Sequence, residues 1–501
     1  MPNPRLLFLT SLTLGLAGNF LLRADAEPAL NLFLLIAGLA IAGVVLHARA
    51  GLALSTESAT LIAAGVLILT TLAWRDAPLL KLIALWAAFI TFALSAFRSG
   101  AAWVRSSGAG EQLVALFMAG VHAGLGALLA LFHVDWNQVR AESRENSAAQ
   151  RAITVARGLL IAIPLLVVFG GLLISADAVF AQLVRDTLRI DLATLAGHVV
   201  LIGVLTWVAA GALTGLLRGT RTAIPVAGAP RGGVMGAGEL GVALGLVALL
   251  FAAFVIVQLR YLFGGADIVA VTRDLTYADY ARRGFFELLA VALLTLPLLL
   301  VSSWLLRRDT PGAERTFRAL AGTVVVLVAA IGVSAVKRMR LYVDVYGWTE
   351  DRFYATVMLL LIMGMLVWLA ATALSGRGER FASGALGLTL ATGALLIVMN
   401  PDAMIARANI DRGVTDAAYP DFDVVHATSL SADAVPVLLG RLGELDATAQ
   451  CGMAARLLQR WGQADGPGLR GWNLSLVRAR RAVREREPEL RALARECQRQ
   501  P

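Results

Sequence analysis

The chain has 501 residues, 58% of them hydrophobic and only 16% charged, with a formal net charge of +9 and a mean hydropathy of +0.72. Soluble globular domains carry about 25% charged residues, so a water-soluble enzyme or binding domain is excluded for most of this length, and a bilayer is the expected solvent. The positive charge does not point to nucleic acid. It is spread over the loops and is almost all arginine, Lys81 and Lys337 being the lysines, which suits topology determinants and headgroup contacts.

Apolar runs near residues 6–22, 29–46, 57–74, 78–97, 111–133, 157–174, 194–217, 239–263, 285–306, 317–336, 353–374 and 381–399 predict twelve spans, since roughly 20 helical residues cross a hydrocarbon core of about 30 Å. The runs are continuous, as in LLIAIPLLVVFGGLLI at 159–174. Barrel strands would alternate every second residue, so helices are expected. Arg5, the first run and ADA at 24–26 imitate a secretory signal peptide. That run is longer than a signal's apolar core, and Arg23 adjoins the cleavage point, so the first span is expected to stay; its removal would leave eleven.

The expected fold is an all-α polytopic bundle with a small C-terminal helical domain. An N-terminal membrane block occupies 1–134, a polar connector (DWNQVRAESRENSAAQRA) 135–156, a core membrane domain 157–399 and a soluble or membrane-surface tail 400–501. By the positive-inside rule the loops at 218–238 and 307–316 are expected in the cytoplasm, with those at 175–193, 264–284 and 337–352, and both termini, on the other face. In the tail, ADAVPVLLGRLGEL and CGMAARLLQRWGQ show helical spacing, and about four helices are expected. The arginine-dense NLSLVRARRAVREREPELRALARE is expected to break near Pro488 and lies either against headgroups or in water. The string SADAV, at 175–179 and 431–435, reads as two helix starts, each a capping serine followed by an acid. Cys451 and Cys497 form no CxxC and allow at most one disulfide, given an oxidising compartment.

Within the spans Asn19, His122 and His198 are deep, but no ligand spacing accompanies the histidines; packing roles are expected, and no metal. GAGELG at 236–241 follows no strand, so it is not a dinucleotide fingerprint, and no Walker lysine, GxSxG or paired carboxylates occur. No enzymatic activity and no cofactor are expected. GVHAG at 120 and GVALG at 241 predict close helix packing.

The remaining polar groups gather at span ends. From about Thr276 a helix would align Tyr280, Gly284 and Glu287 on one face, beside Arg282. If the tenth span continues past Val336, Arg338, Tyr342 and Tyr346 form one stripe, and Lys337, Arg340 and Asp344 a neighbouring one. Gly347 then ends the helix, and Thr349 caps the next with Glu350 and Asp351 in its first turn. Arginines with phenols beside an open helix start suit an anionic headgroup or phosphate. The candidate ligand-binding residues are therefore Arg338, Tyr342, Tyr346, Arg352, Tyr280, Arg282, Glu287 and Lys337; an interfacial aromatic belt with snorkelling arginines is the structural alternative.

LAWRDAPLLKL at 72, LLISADAVF at 172, QLRYLFGG at 258, TYADYARRGFFEL at 276, KRMRLYVDVYGWTEDRFYA at 337, and NPDAMIARANIDR with LSADAVPVLL in the tail together resemble a bacterial multi-spanning membrane family, domain of unknown function 4173, related to 4153. The resemblance implies the bacterial inner membrane and no established activity. The function expected is transporter-like, translocating a lipid or anion through an Arg/Tyr site at the membrane face of spans eight to eleven. The alternative is a sensor or assembly scaffold acting through the tail. Expected partners are membrane lipids, an anionic small molecule or headgroup, and a protein docking on the tail.

Overall fold

The computed structural model describes residues 4–22, 27–52, 54–96, 108–133, 192–219, 233–263, 277–307, 312–372, 374–415, 422–462 and 468–497. The expected span at 157–174, the connector and the first SADAV lie outside these residues. The fold is an all-α bundle of membrane-spanning helices, and ten helices among the described residues are long and apolar enough to cross a bilayer. A further helix, Ala109–His133, covers the run expected at 111–133.

The chain forms two compact units. The first, residues 1–26, 34–55 and 117–222, contains α1 (Pro4–Leu22), most of α2 (Leu30–Arg49), most of α6 (Ala109–His133) and α7 (Leu192–Gly219). Helices α1 and α7 pack side by side, and His198 Nδ1 lies 2.9 Å from Asn19 Oδ1 between them. His122 Nδ1 meets the Met118 carbonyl at 2.9 Å. Each histidine thus meets an oxygen acceptor within the helices. GVHAG lies at a close helix approach, as expected, though not through its own glycines: a Cβ on Gly120 or Gly124 would meet nothing within 4 Å, whereas one on Gly211 of α7 would strike the His122 carbonyl oxygen and fall 2.7 Å from that of Ala123, and one on Gly126 would fall 2.9 Å from the Gly211 carbonyl oxygen. GVALG makes no close backbone approach.

The second unit, residues 27–33, 56–116 and 223–501, includes α3 (Thr56–Leu69), the single turn α4 (Thr71–Trp74), α5 (Pro78–Ala96), α8 (Ala237–Phe263), α9 (Tyr277–Leu305), α10 (Ala313–Tyr346), α11 (Glu350–Thr372) and α12 (Glu379–Met399). Helix α10 runs along α8 and α9 and touches α11. Leu244, Phe285, Leu299, Val324, Val328, Leu359 and Ile362 interlock there, fully or almost fully buried. The outward faces are equally apolar: Leu250 is 66%, Leu294 67% and Val326 69% exposed. Water would penalise such a surface, and lipid does not. Ser334 of α10 donates to Gln258 of α8 within this interior, the polar glue that helix pairs use where water is absent.

At about 1.5 Å per residue, the 34 residues of α10 reach about 50 Å, beyond a core of about 30 Å. Its last turns carry the charged and phenolic residues from Lys337 to Tyr346.

The tail folds into α13 (Pro401–Thr415), α14 (Val424–Ser429), α15 (Val435–Gly440), α16 (Ala447–Trp461), α17 (Leu474–Glu485) and α18 (Glu487–Cys497). About four helices were expected; α14 and α15 have six residues each, too short for a periodic pattern to register. The break expected near Pro488 falls at Arg486, which places the proline in the first turn of α18, where its missing N–H costs nothing. Ile405, Ile410, Leu438, Met453, Leu457, Val483 and Leu490 form the core of this domain. Cys451 is disulfide-bonded.

Candidate functional site

The C-terminal domain is held on the membrane helices by buried polar groups, beginning at the turn between α4 and α5. Helix α4 ends at Trp74, the Arg75 amide still bonding the Thr71 carbonyl, and Pro78 opens α5; residues 75–77 are not helical, and other backbone groups of this turn need partners from elsewhere. The tail supplies them. Asp433 Oδ2 accepts from the amides of Asp76 (2.6 Å) and Ala77 (3.0 Å). Asn473 Nδ2 donates to the carbonyls of Leu72 (3.0 Å) and Arg75 (2.7 Å) while its Oδ1 caps α17 through the Leu476 amide. Ser475 Oγ lies 2.8 Å from the Trp74 carbonyl and 2.6 Å from Asp433 Oδ1, sharing one proton between two acceptors.

Charged side chains complete the network. Arg75 stacks on the Trp74 ring and donates to the carbonyls of Ile397 (2.8 Å) and Val398 (3.1 Å), closing the C-terminal end of α12, and to Asp433 Oδ1 at 3.3 Å. Lys81 Nζ pairs with Asp76 Oδ1 at 3.0 Å, and Asp76 Oδ2 accepts from the Ala432 amide at 3.1 Å. Asn400, the one non-glycine residue at positive φ among the described residues, ends α12 in the left-handed region and donates to the Asp433 carbonyl. Pro401 then starts α13 and places Asp402 in its first turn, where Oδ2 accepts from the Ser431 amide (3.0 Å) and hydroxyl (2.5 Å). Asp402, Asp433, Arg75, Lys81 and Asn473 are all less than one-tenth exposed. Burial pushes the Asp402 carboxyl above the usual carboxylate range; the two Ser431 donors oppose this, and Asp433 and Asp76 reinforce it.

The reading of the second SADAV as a helix start changes here. Helix α15 does begin at Val435, but no side chain caps it; Ser431 and Asp433 are turned into the clamp instead.

A second contact lies at the α10–α11 turn. Gly347 ends α10 with φ 72° and ψ 177°, and Thr349 Oγ1 accepts from the Arg352 amide. Asn409 of α13 pairs both ways with the Trp348 backbone, accepting its N–H at 2.7 Å and donating to its carbonyl at 2.8 Å. Arg412 donates to the carbonyls of Asp344 (2.9 Å) and Val345 (2.8 Å), and Arg352 to those of Tyr346 (3.0 Å) and Gly347 (2.5 Å). The charges of this polar stretch thus close an exposed helix end.

The structure brings together part of the site expected from sequence. The Arg352 guanidinium lies over the Tyr342 ring at 4.1 Å and the Tyr346 ring at 5.8 Å, and the two rings meet edge to face at 5.2 Å. Arg338 lies over Gly284 of α9, where an added Cβ would strike its guanidinium. Lys337 and Glu287 are exposed. Tyr280 and Arg282 fall on α9, and their side chains lie outside the described residues. Arg75, Asp76, Asp402, Asp433, Asn473 and Ser475 carry the clamp and were not singled out from the sequence. The available signal was that charge recurs in WRDAP, NPDAM and LSADAV, three of the stretches that carry the family resemblance.

A family model described as Domain of unknown function (DUF4153) matches residues 61–440. The chain belongs to this family. The motifs resemble the related 4173 family; the match is to 4153. The matched segment includes Arg75, Asp76, Lys81, Asp402 and Asp433 and ends before Asn473 and Ser475, so the charged half of the clamp lies within the family domain. No curated protein matches the chain, and no solved structure does.

Proposed function

We propose that this multi-pass protein of the bacterial inner membrane is a sensor or assembly scaffold that acts through its C-terminal domain, the membrane helices serving as the seat. The observation that carries this reading is the burial of Asp433 against the 75–77 turn, with Arg75 reaching from there to the end of α12. A tail tethered only by its covalent link would need none of these desolvated contacts. Transport through an Arg/Tyr site receives less support, because the central cation of that site, Arg352, is engaged by two carbonyls and two rings. The seated domain leaves Arg478 and Arg484 of α17 exposed on either side of the Arg481–Glu485 ion pair, cations for an acidic protein surface.

A photo-reactive residue at position 478 or 484 should give one discrete protein adduct in cells, and Asp433→Ala should abolish it by unseating the domain. Adducts to lipid alone, or none, return the chain to the transport reading.

A second reading concerns the same membrane face. Lys337, Arg340 and Tyr346 are exposed on the last turns of α10, where they suit anionic headgroups. The chain should melt at a higher temperature in nanodiscs containing anionic lipid than in zwitterionic ones. Replacing Lys337 and Arg340 by alanine should remove at least half of that difference; an unchanged difference discards the contact.

A further inference from the structure

Asp402 is fully buried and its two oxygens are unequally served. Oδ2 accepts both donors of Ser431, whereas Oδ1 has no hydrogen-bond partner among the described residues. An ionised carboxylate spreads its charge over both oxygens, and a buried oxygen facing no donor is the costly half of it.

The charges around Asp402 come from every element packed against it. The turn before α5 brings Arg75 and Asp76, α5 brings Lys81, and the turn before α15 brings Asp433. Helix α11 brings Glu350 and Tyr354, and α16 brings Arg460, whose charge acts on Glu350 while its Nη1 donates to the Thr428 and Leu430 carbonyls. Arg75 is paired with Asp433 and Lys81 with Asp76. Among the described residues no cation pairs with Asp402. In the clamp itself two cations, Arg75 and Lys81, thus face three carboxylates, the buried Asp402 and Asp433 and the part-buried Asp76, while the charge of Arg460 acts against that of Glu350; neutralising Asp402 would leave the clamp with balanced charge. The Tyr354 hydroxyl, on the helix that packs against α13, is likewise buried without a partner among the described residues.

We propose that Asp402 is a proton-binding site, carrying a proton from water on Oδ1 while the C-terminal domain is seated, so that one proton closes the clamp. Losing it leaves a surplus negative charge in a sealed interface and favours release of the domain. The upward displacement of the Asp402 carboxyl described above acts in the same direction. Because the folded state holds this proton more tightly than the unfolded state, the stabilisation is complete below the unfolded carboxylate value and is lost as pH rises through the folded one.

The site shares the clamp with the scaffold reading but needs no protein partner, and its test reads the proton alone. In infrared spectra of the full chain in nanodiscs near neutral pH, a protonated-carboxyl stretch sensitive to deuteration is expected. It should be lost in Asp402→Asn and kept in Glu350→Gln. The thermal midpoint of the parent should fall as pH rises through the titration of that band, and that of Asp402→Asn should stay level. A parent spectrum without the band at neutral pH overturns the proposal even if the variant fails to fold. So does a band that survives in Asp402→Asn or vanishes in Glu350→Gln.

Discussion

Asp433→Ala is expected to destabilise the chain by about 3–5 kcal/mol, the range for removing one partner of a buried ion pair. Asp433 is 4% exposed and accepts from the amides of Asp76 and Ala77, from Arg75 and from Ser475. Alanine leaves the two amides and a guanidinium buried without that acceptor, and their desolvation is no longer offset. Asp433→Asn should lie between, because one amide oxygen cannot replace two carboxylate oxygens that each take two donors. The measurement is thermal unfolding in nanodiscs combined with limited proteolysis, in which cleavage of the C-terminal domain should speed up as it leaves its seat. Unchanged melting and proteolysis in Asp433→Ala would show that the clamp does not hold the domain.

Gly347→Val should destabilise by about 2–4 kcal/mol through a different mechanism. A φ of 72° with ψ of 177° belongs to a region essentially closed to residues with a Cβ, and strain there costs of order 1–3 kcal/mol. The added Cβ would also sit 2.9 Å from Asn409 Oδ1, displacing the acceptor of the Trp348 amide, which adds about 1 kcal/mol. Gly468→Ala gives the ordinary cost of a Cβ at positive φ: its φ is 58° and a Cβ there meets nothing within 4 Å, so about 1 kcal/mol is expected from conformation alone. Equal losses at the two positions would mean that neither the closed backbone region at Gly347 nor the Asn409 contact adds to that cost.

The opening and closing of individual helices was largely written in local sequence. Gly347 stops α10, Thr349 and two acids open α11, and Pro488 sits in the first turn of α18. These are short-range rules, decided by whether a residue has a Cβ, a capping oxygen or an N–H. The stripe of Arg338, Tyr342 and Tyr346 was equally legible, since helical spacing alone aligns it. What Arg352 does was not, because its acceptors are main-chain carbonyls, and every residue in a sequence has one. Close packing was legible in part: GVHAG does lie where α6 meets α7, but the residue that lets the backbones approach is Gly211, whose place opposite His122 and Ala123 depends on a second helix far away in the chain.

By itself the sequence determined the solvent and the material. A chain that is 58% hydrophobic and 16% charged, with its apolar residues in unbroken runs, must cross a bilayer as helices, because lipid offers backbone groups no partners. The tertiary structure alone decided where the charge is sealed. Arg75 and Asp433 are 358 positions apart, and nothing local distinguishes either from a solvated charge at a helix end. Only the seating of the C-terminal domain removes water from both, and that loss of water turns ordinary surface residues into a site.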